Sequence, residues 1–502
     1  MERLTTHPLD PLNAEEIRGA AGIVKAIPDS TPSWRIVSVL PHEPYKAELR
    51  EWEGGGVRPP RRALVIVRDK ELRRTIELVV DIGTSAVVSR TEPSGIQPAV
   101  MREESVEAER LAREHPDWQA AMRARGVTEL ERAMLDHMPL GYQDADDGPE
   151  VRRGIALTWL RDGTGSDPSD WEGDNGYARP VEGLIVHFDL DEMKVLRVED
   201  HGGAPIPEAA GNFTEAALLD PANVPSYPEG PRTSARPLEI AQPDGPGFSV
   251  DGWRVDWEKW QLRVGFNARE GLVLHDVGYL DRGRRRPILH RASLSEMFVP
   301  YGDPAVTHFR KQLFDQGEAG IGRCVNSLRL GCDCLGEIYY FDAVIHDNDG
   351  EPIELPNAIC MHEEDYGLLW KHTTLRTGQP QSRRSRRLVI SSFTTVGNYD
   401  YGFFWYLYQD GRIEFEAKLT GILSTGAYAP GEEPRYGTPI APGLYGPNHQ
   451  HWFNVRLDMA VDGDANTLLE VNSRPVEDEE TNFFGGAWTA EATVLGSELQ
   501  AQ

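Results

Sequence analysis

Two histidines near the end of the sequence have a spacing that suits a metal site. His449 and His451 flank Gln450 and precede an apolar segment, residues 452–459, that is typical of a strand. In a strand, residues two apart point to the same face and lie about 6.6 Å apart, so two imidazoles can bind one ion. Imidazole binds copper, zinc, iron and nickel, so the pair alone does not select a metal. Two hydrogen-bonded or surface histidines are the alternative interpretation.

A second group combines aromatic and polar side chains at residues 398–401, Asn-Tyr-Asp-Tyr. By itself it has no generic chemistry, and the pattern is typical of an aromatic strand in a core. His362-Glu363 begins like a zinc-peptidase motif, which requires a second histidine four residues after the first, but position 366 is a tyrosine. Residues 347–350, Asp-Asn-Asp-Gly, are interpreted as a hairpin turn and not as a calcium loop.

The elements that must position these residues fall into an α+β arrangement. Asn13 and Glu16 form a helix-start signal, and strands are predicted at 63–68, 75–82 and 86–90. A second unit repeats this plan. Its helices are predicted at about 106–113 and 128–135, and its strands at 155–160, 183–189 and 194–199. We therefore expect two small α/β domains, at residues 5–95 and 96–201.

The rest of the chain is predicted to be a large antiparallel β-sandwich at residues 248–502, after a Pro-rich linker at 202–247. Its clearest strands are at 260–266, 271–280, 337–345, 388–393, 398–408 and 412–419. The last two form a predicted hairpin, because Gln409-Asp410-Gly411 supplies a turn and apolar residues alternate with charged ones after it.

Composition excludes several classes of protein. Lys and Arg number 52 against 80 Asp and Glu, which gives a net charge of −28. So acidic a chain is a poor candidate for binding nucleic acid. No apolar run approaches the ~18 residues of a membrane span, and the start lacks the apolar segment of a secretory signal. We expect a cytoplasmic protein that binds neither nucleic acid nor membranes.

Taken together, Asn398-Tyr399-Asp400-Tyr401 and the His-x-His pair, whose first histidine lies fifty residues after Tyr399, resemble the copper amine oxidase family. Other segments also match: HPLDPL at 7–12, LSEM at 294–297, YGDP at 301–304, GCDCLG at 331–336 and CMHEED at 360–365. The resemblance runs from near residue 7 to at least residue 460.

This resemblance implies an enzyme that converts primary amines and dioxygen to aldehyde, ammonia and hydrogen peroxide. Tyr399 would be the precursor of topaquinone, formed by self-processing with bound copper(II), and His449 and His451 would be copper ligands. Asp315 would be the catalytic base in ping-pong imine chemistry. Tyr301 would hydrogen-bond a quinone oxygen, and Asn398 would help to fix the ring. Leu313 occupies the position of an aromatic gate in many relatives.

The resemblance also implies features outside the reacting groups. Asp458 would bind a second, structural cation such as calcium or manganese, and the protein would be a homodimer. Cys334 and Cys360 would form a disulfide, with reduced buried thiols as the alternative.

In one respect the sequence departs from the family. The family binds copper through three histidines, and none of the fourteen histidines here follows His451. We expect a truncated or frameshifted member whose catalytic domain is incomplete. We therefore expect this polypeptide alone to bind copper more weakly and to make little or no quinone.

Two other functions remain open from the sequence. One is a catalytically inactive truncated remnant that acts only as a β-sandwich protein. The other is a two-histidine metalloprotein such as a cupin-like dioxygenase. That class has a glutamate shortly after the histidine pair, and residues 452–457 contain none.

Overall fold

The structure, a computed structural model, describes residues 7–140, 151–161, 174–208, 218–219, 232, 234–478 and 480–501. The predicted fold class is confirmed, because two small α/β domains precede a large antiparallel β-sandwich. Much of the predicted linker (209–217, 220–231 and 233) lies outside the described residues. Within the described ranges, no helix has the length and apolarity that a bilayer span requires.

The first domain is a four-stranded antiparallel sheet covered by a helix, with strand order β1-β2-β3-β4. Its elements are α1 (Ala14–Lys25), β1 (Trp34–His42), α2 (Lys46–Glu53), β2 (Arg62–Asp69), β3 (Arg74–Asp81) and β4 (Ala86–Thr91). Helix α1 begins at the predicted signal. Asn13 Oδ1 accepts from the backbone N–H of Glu16 at 2.9 Å, and Glu16 Oε2 accepts from that of Asn13 at 3.0 Å.

The second domain repeats this plan with two helices against a sheet of order β5-β6-β7-β8. Its elements are α3 (Arg102–Glu114), α4 (Pro116–Ala124), β5 (Ala133–Pro139), β6 (Arg153–Leu160), β7 (Pro180–Asp189) and β8 (Lys194–Asp200). Trp118 of α4 is buried beneath the sheet, and its indole N–H donates to Thr158 Oγ1 at 3.1 Å. This hydrogen bond fixes the helix on the inner face of β6.

The predicted helix at 128–135 is wrong. A short 3-10 turn, Leu130–Arg132, leads directly into β5, which pairs along β6. Ala133 and Leu135 are buried while Met134 between them is half-buried, so burial follows the two-residue period of a strand. Pairing with β6 therefore overrides a weak local helix signal. Helices α2 and α4 and strand β1 were not predicted, because short elements carry little periodicity.

The third domain contains two large antiparallel sheets. The first has the order β14-β13-β12-β11-β10-β9, and β23 also pairs with β13. Its strands are β9 (Phe248–Asp251), β10 (Arg254–Trp257), β11 (Trp260–Asn267), β12 (Gly271–Asp281), β13 (Arg284–Val299), β14 (Leu313–Phe314) and β23 (Trp452–Met459). The second has the order β15-β16-β17-β18-β19. Its strands are β15 (Tyr339–His346), β16 (Pro352–Thr373), β17 (Pro380–Val396), β18 (Tyr399–Tyr408) and β19 (Ile413–Gly421).

Two smaller sheets complete the domain. They contain β20 (Gly426–Ala427), β21 (Gly437–Ala441), β22 (Leu444–Pro447), β24 (Leu468–Pro475) and β25 (Trp488–Leu495). The two large sheets share one core, to which Trp257, Trp260 and Val264 contribute from one side and Ile359, Ile390, Trp405 and Leu407 from the other. Packing of two sheet faces against each other is the arrangement predicted from the alternating strands.

The β17–β18–β19 meander carries the Asn-Tyr-Asp-Tyr segment. The predicted β18–β19 hairpin is confirmed, and in its turn Gly411, with φ +94°, donates its N–H to Tyr408 O at 3.1 Å. At the other end, Gly397 and Asn398 form a two-residue turn that pairs Val396 with Tyr399. Gly397 has φ +60°, which favours glycine. Tyr399 is therefore the first residue of β18, beside a tight turn.

Buried contacts fasten the domains to one another. Arg68 of β2 forms a fully buried ion pair with Asp191 of the second domain, with Nη2 2.6 Å from Oδ2. The backbone N–H of Val100, just before α3, donates to Glu318 O of the third domain at 2.7 Å. The second domain therefore packs directly on the segment that contains Asp315.

Candidate active site

Tyr399 lies where three segments of the chain meet. Its hydroxyl oxygen is 3.0 Å from His449 Nε2 and 3.4 Å from the hydroxyl of Tyr301, which donates to it. The backbone N–H of Ser424 also donates to this oxygen, at 3.2 Å. Burial raises the pKa of Tyr399 above its usual value, so the phenol is protonated at neutral pH.

The two histidines of the His-x-His pair face the tyrosines at the start of β18. His449 forms an isolated bridge with Tyr301, and their rings stack with centroids 4.9 Å apart. His451 Nδ1 lies 3.3 Å from the Tyr401 hydroxyl. The two imidazole centroids are 5.0 Å apart. Both residues precede β23, so the pairing of β23 with β13 delivers them to Tyr301 and Tyr399.

The hydrogen bonds of His449 define its tautomer. Its Nδ1 is 2.9 Å from the carbonyl oxygen of Pro447, which can only accept, so Nδ1 carries the hydrogen and Nε2 keeps its lone pair. Burial, helped by the neighbouring His449, lowers the pKa of His451 to about 4. Two neutral imidazoles therefore lie side by side, and this donor set fits a divalent transition metal such as copper.

Asp315 is buried at the start of a single π-helical turn, Asp315–Ala319, that follows β14. Its side chain belongs to a residue only 2% exposed, and Oδ2 has no hydrogen-bond partner within the described ranges. Burial raises its pKa well above the usual range, and the nearby carboxylates of Glu296 and Glu318 add to this effect. Such a carboxyl binds protons strongly, as a general base must.

A cavity of about 460 Å³ connects Asp315 with Tyr399. Tyr301 and Asn398 also line it, so the structure brings four of the predicted catalytic residues to one space. Part of its wall comes from β5 of the second domain, and Leu313 adds an apolar side chain. His449 and His451 contact Tyr399 and Tyr401 from outside the lining.

The sequence analysis missed a buried lysine in this cavity. Lys311 Nζ donates to Ser424 Oγ at 3.0 Å and to Thr425 O at 3.1 Å, and it lies 5.8 Å from the Tyr301 ring centroid. Burial lowers its pKa to about 8. A lysine in an irregular segment carries no signal of burial in the sequence.

A second missed residue is the carboxyl of Asp136, which lies in β5 and lines the same cavity. It accepts a hydrogen bond from the Tyr177 hydroxyl at 3.0 Å. Burial raises its pKa to about 6. Because residue 136 fell within the wrongly predicted helix, its place on the cavity wall could not be predicted.

The CMHEED segment has a structural role in the protein. Cys334 and Cys360 form a disulfide, as the family resemblance implied. Glu363 accepts hydrogen bonds from the Trp257 indole at 2.9 Å and from the Gly247 backbone at 2.6 Å, which attaches the end of the linker to the sandwich. This segment is therefore not part of the cavity.

Asp458 lies apart from the cavity, in β23, where its Oδ1 is 2.5 Å from Lys46 Nζ. Within the described residues, the group of three potential ligands close enough to share an ion is Cys334, Cys360 and His362. Asp458 belongs to no such group, and its predicted role as a ligand of a structural cation stays a prediction.

Comparisons with known proteins cover all three domains. Residues 7–93 match the copper amine oxidase N2 domain, residues 103–215 the N3 domain and residues 249–502 the enzyme domain. The chain is 44% identical over 499 residues to a primary amine oxidase of Arthrobacter sp. (strain P1), covering 99% of this chain and 73% of that protein. It is 41% identical over 538 residues to a copper-containing peroxisomal diamine oxidase of Nicotiana tabacum, covering 99% and 67%.

Solved structures give the same result. The structure matches a copper-containing benzylamine oxidase from Hansenula polymorpha with a TM-score of 0.85 at 28% identity, covering 98% of this chain and 76% of that one. The chain thus spans about two thirds to three quarters of the length of the relatives it matches. These similarities support an oxidoreductase that acts on amines. The chain therefore belongs to the copper amine oxidase family.

Proposed function

We propose that this protein oxidises primary amines to aldehydes with copper(II) and a topaquinone formed from Tyr399, releasing ammonia and hydrogen peroxide. The observation that carries the proposal is the contact of the Tyr399 hydroxyl with the unprotonated Nε2 of His449. The His451 ring lies 5.4 Å from that of Tyr399. A metal held by these two imidazoles would lie beside the phenol that must be oxidised.

His449 and His451 are the residues that would hold the copper ion. When bound, copper with dioxygen supplies the oxidising power that converts Tyr399 to a quinone, and the quinone then carries the electrons of amine oxidation. The chain contributes the placement, because Tyr301 and Ser424 hold the Tyr399 oxygen from two other directions.

Asp315 removes a proton from the carbon next to the amino nitrogen. The proton goes to a carboxylate oxygen, and Oδ2 is free to accept it because no described group binds it. Burial excludes water from this oxygen, which makes the ionised carboxylate a stronger base. The shared cavity lets a small amine reach Asp315 and Tyr399 together.

Asn398 and Tyr301 orient the reacting ring. The Asn398 side-chain N–H donates to Ile422 O at 2.5 Å and thereby fixes the turn that precedes Tyr399. Tyr301 has a pKa well above its usual value because it is buried beside Tyr399, so its hydroxyl keeps its hydrogen and donates. Both residues therefore limit rotation at position 399.

The test is chemical labelling of the copper-treated protein. After aerobic incubation with copper, phenylhydrazine is expected to add to the peptide that contains Tyr399, as detected by mass spectrometry and a new visible absorption band. Tyr399→Phe is expected to give no adduct, and omission of copper should also prevent it. Amine-dependent peroxide release is measured on the same samples.

Labelling at Tyr399 supports the proposal, whereas no label at any copper concentration, or label confined to other peptides, contradicts it. The labelled fraction also tests the expectation that these 502 residues by themselves make little quinone. A protein that folds but neither labels nor produces peroxide would be the inactive β-sandwich remnant.

A homodimer is also part of the proposal. The far ends of β16 and β17 carry exposed apolar side chains, including Leu368 at 56% and Trp370 at 44% exposure. An exposed apolar strand pair is typical of a protein interface. Sedimentation velocity is expected to give twice the mass of one chain, and Leu368→Lys should shift the protein to monomer.

A further inference from the structure

Two carboxylates hold the turn that contains Asp315. Glu296 Oε1, from β13, accepts from the backbone N–H of Gln316 at 2.9 Å and from that of Gly317 at 3.4 Å. Glu318 Oε2 accepts from the backbone N–H of Phe314 at 2.7 Å. Three backbone donors next to Asp315 are therefore bound by negatively charged acceptors, which make stronger hydrogen bonds than neutral ones.

Other contacts make this support rigid. Arg269 Nη2 lies 3.3 Å from Glu296 Oε2, which directs the other oxygen of Glu296 towards the turn. Gln316 is 1% exposed, so its backbone N–H has no access to water as a substitute partner. At the far end, Val100 of the second domain donates to Glu318 O. The turn is thus fixed from the sheet and from the neighbouring domain.

The same two carboxylates provide the charge around Asp315. Glu296 faces it from β13 and Glu318 from within the turn, and both disfavour its ionised form. The other titratable neighbours are Tyr401 from β18 and Cys324 from the following segment. Burial raises the pKa of both, so they are neutral at pH 7. Asp315 is therefore surrounded by negative and neutral groups.

We propose that Glu296 is a positioning residue for Asp315: its carboxylate fixes the turn through Gln316 and Gly317, and its negative charge strengthens proton binding by the Asp315 carboxyl. The proposal deepens the proposed function, on which the role of Asp315 as base depends. A glutamate on a sheet strand, twenty residues before the turn it holds, does not move with that turn. Glu318 lies within the turn and provides charge without an external anchor.

Two substitutions separate the hydrogen bonds from the charge. Glu296→Gln keeps an acceptor oxygen but removes the charge, and Glu296→Ala removes both. Infrared titration of isotope-labelled carboxyls, assigned by comparison with Asp315→Asn, reports protonation of Asp315 without any turnover. We expect Glu296→Gln to lower the protonation midpoint by about one pH unit. Glu354→Gln, at an exposed position of β16, is the matched control and should leave the midpoint unchanged.

Hydrogen exchange measures the positioning role. Peptides that cover residues 314–320 are expected to stay protected in Glu296→Gln and to exchange faster in Glu296→Ala, while the rest of β13 is unchanged. Circular dichroism confirms that each variant is folded, and Glu296→Gln carries the test if the alanine variant does not fold.

The outcomes distinguish the two proposals. An unchanged Asp315 midpoint in folded Glu296→Gln overturns the role of Glu296. If the midpoint shifts but the acid limb of the pH profile of kcat/KM does not, the role of Glu296 stands and the assignment of Asp315 as base fails. A parallel shift of both supports the two proposals together.

Discussion

The hydroxyl of Tyr399 lies 3.0 Å from Nε2 of His449, a residue fifty positions further along the chain. Tyr399 begins β18 in one sheet, whereas His449 precedes β23, which pairs with β13 in the other sheet. The contact therefore joins the two layers of the sandwich at one edge. The lone pair of His449 points at the phenol oxygen because its other ring nitrogen donates to Pro447.

Removing one imidazole tests the metal site. His449→Ala and His451→Ala should each weaken copper binding by at least about tenfold, since even groups behind a metal ligand have effects of that size. Equilibrium dialysis with metal analysis gives the affinity. Gln450→Ala, at the exposed residue between them, is the control and should bind copper like the unmodified protein. Equal affinity in all three variants would refute the assignment.

Loss of the base should stop turnover but leave copper binding intact. Asp315→Asn keeps the size of the side chain and removes its ability to accept a proton, so kcat/KM should fall by about 10²–10⁴-fold. Amine-dependent peroxide release and copper content are measured together. Asp251→Asn, on an exposed position of β9, should retain full activity. Turnover by Asp315→Asn near that of the control would exclude Asp315 as the base.

The cavity wall at Leu313 should control the size of the amine. Leu313→Phe adds a ring to the space shared by Asp315 and Tyr399, so kcat/KM for phenethylamine should fall about tenfold while that for methylamine changes little. Steady-state kinetics with both amines gives the ratio. Leu375→Phe, at a 96% exposed position, is the control. An unchanged ratio would show that substrates do not pass Leu313.

The disulfide between Cys334 and Cys360 should stabilise the sandwich. It closes a segment with a sequence separation of 26, for which the chain-entropy account gives about 3 kcal/mol. Cys360→Ala should therefore unfold at lower denaturant concentration, and reductant should lower the stability of the unmodified protein but not of the variant. Cys332 is exposed and unpaired, so Cys332→Ala serves as the control. Two free thiols in non-reducing peptide mapping would rule out the bond.

Asp136 should make stability depend on pH. Its folded pKa of about 6 exceeds the model-compound value of 3.8, so the native state binds its proton more tightly than the unfolded state. The stability that this proton provides is present below pH 4 and is lost as the pH rises to about 6.

Asp136→Asn should therefore become more stable than the unmodified protein as the pH rises from 4 to 6, by roughly 1–2 kcal/mol, and remain so at pH 7. The asparagine oxygen can still accept from Tyr177. Denaturant unfolding at several pH values measures the difference. A difference that does not vary with pH would contradict the burial of this charge. Asp251→Asn, on exposed β9, should show no such trend.

Local patterns predicted much of the fold. The alternation after Gly411 predicted the β18–β19 hairpin, and the Asn13–Glu16 pair predicted the start of α1. In both cases residues adjacent in the chain make the deciding contacts. The segment at 128–135 failed because its partner, β6, determines its structure. An amphipathic segment this short satisfies a helix or a strand equally well until a neighbour supplies hydrogen bonds.

The sequence by itself determined which side chains could do chemistry, because spacing and residue type at Tyr399, His449 and His451 carry the family signature. Only the tertiary structure decided which groups surround them. Lys311, Asp136 and the Glu296 support come from separate strands and from another domain, and no local pattern records such contacts. The physical reason is that burial and charge proximity, which set the pKa of Asp315, exist only once distant segments pack together.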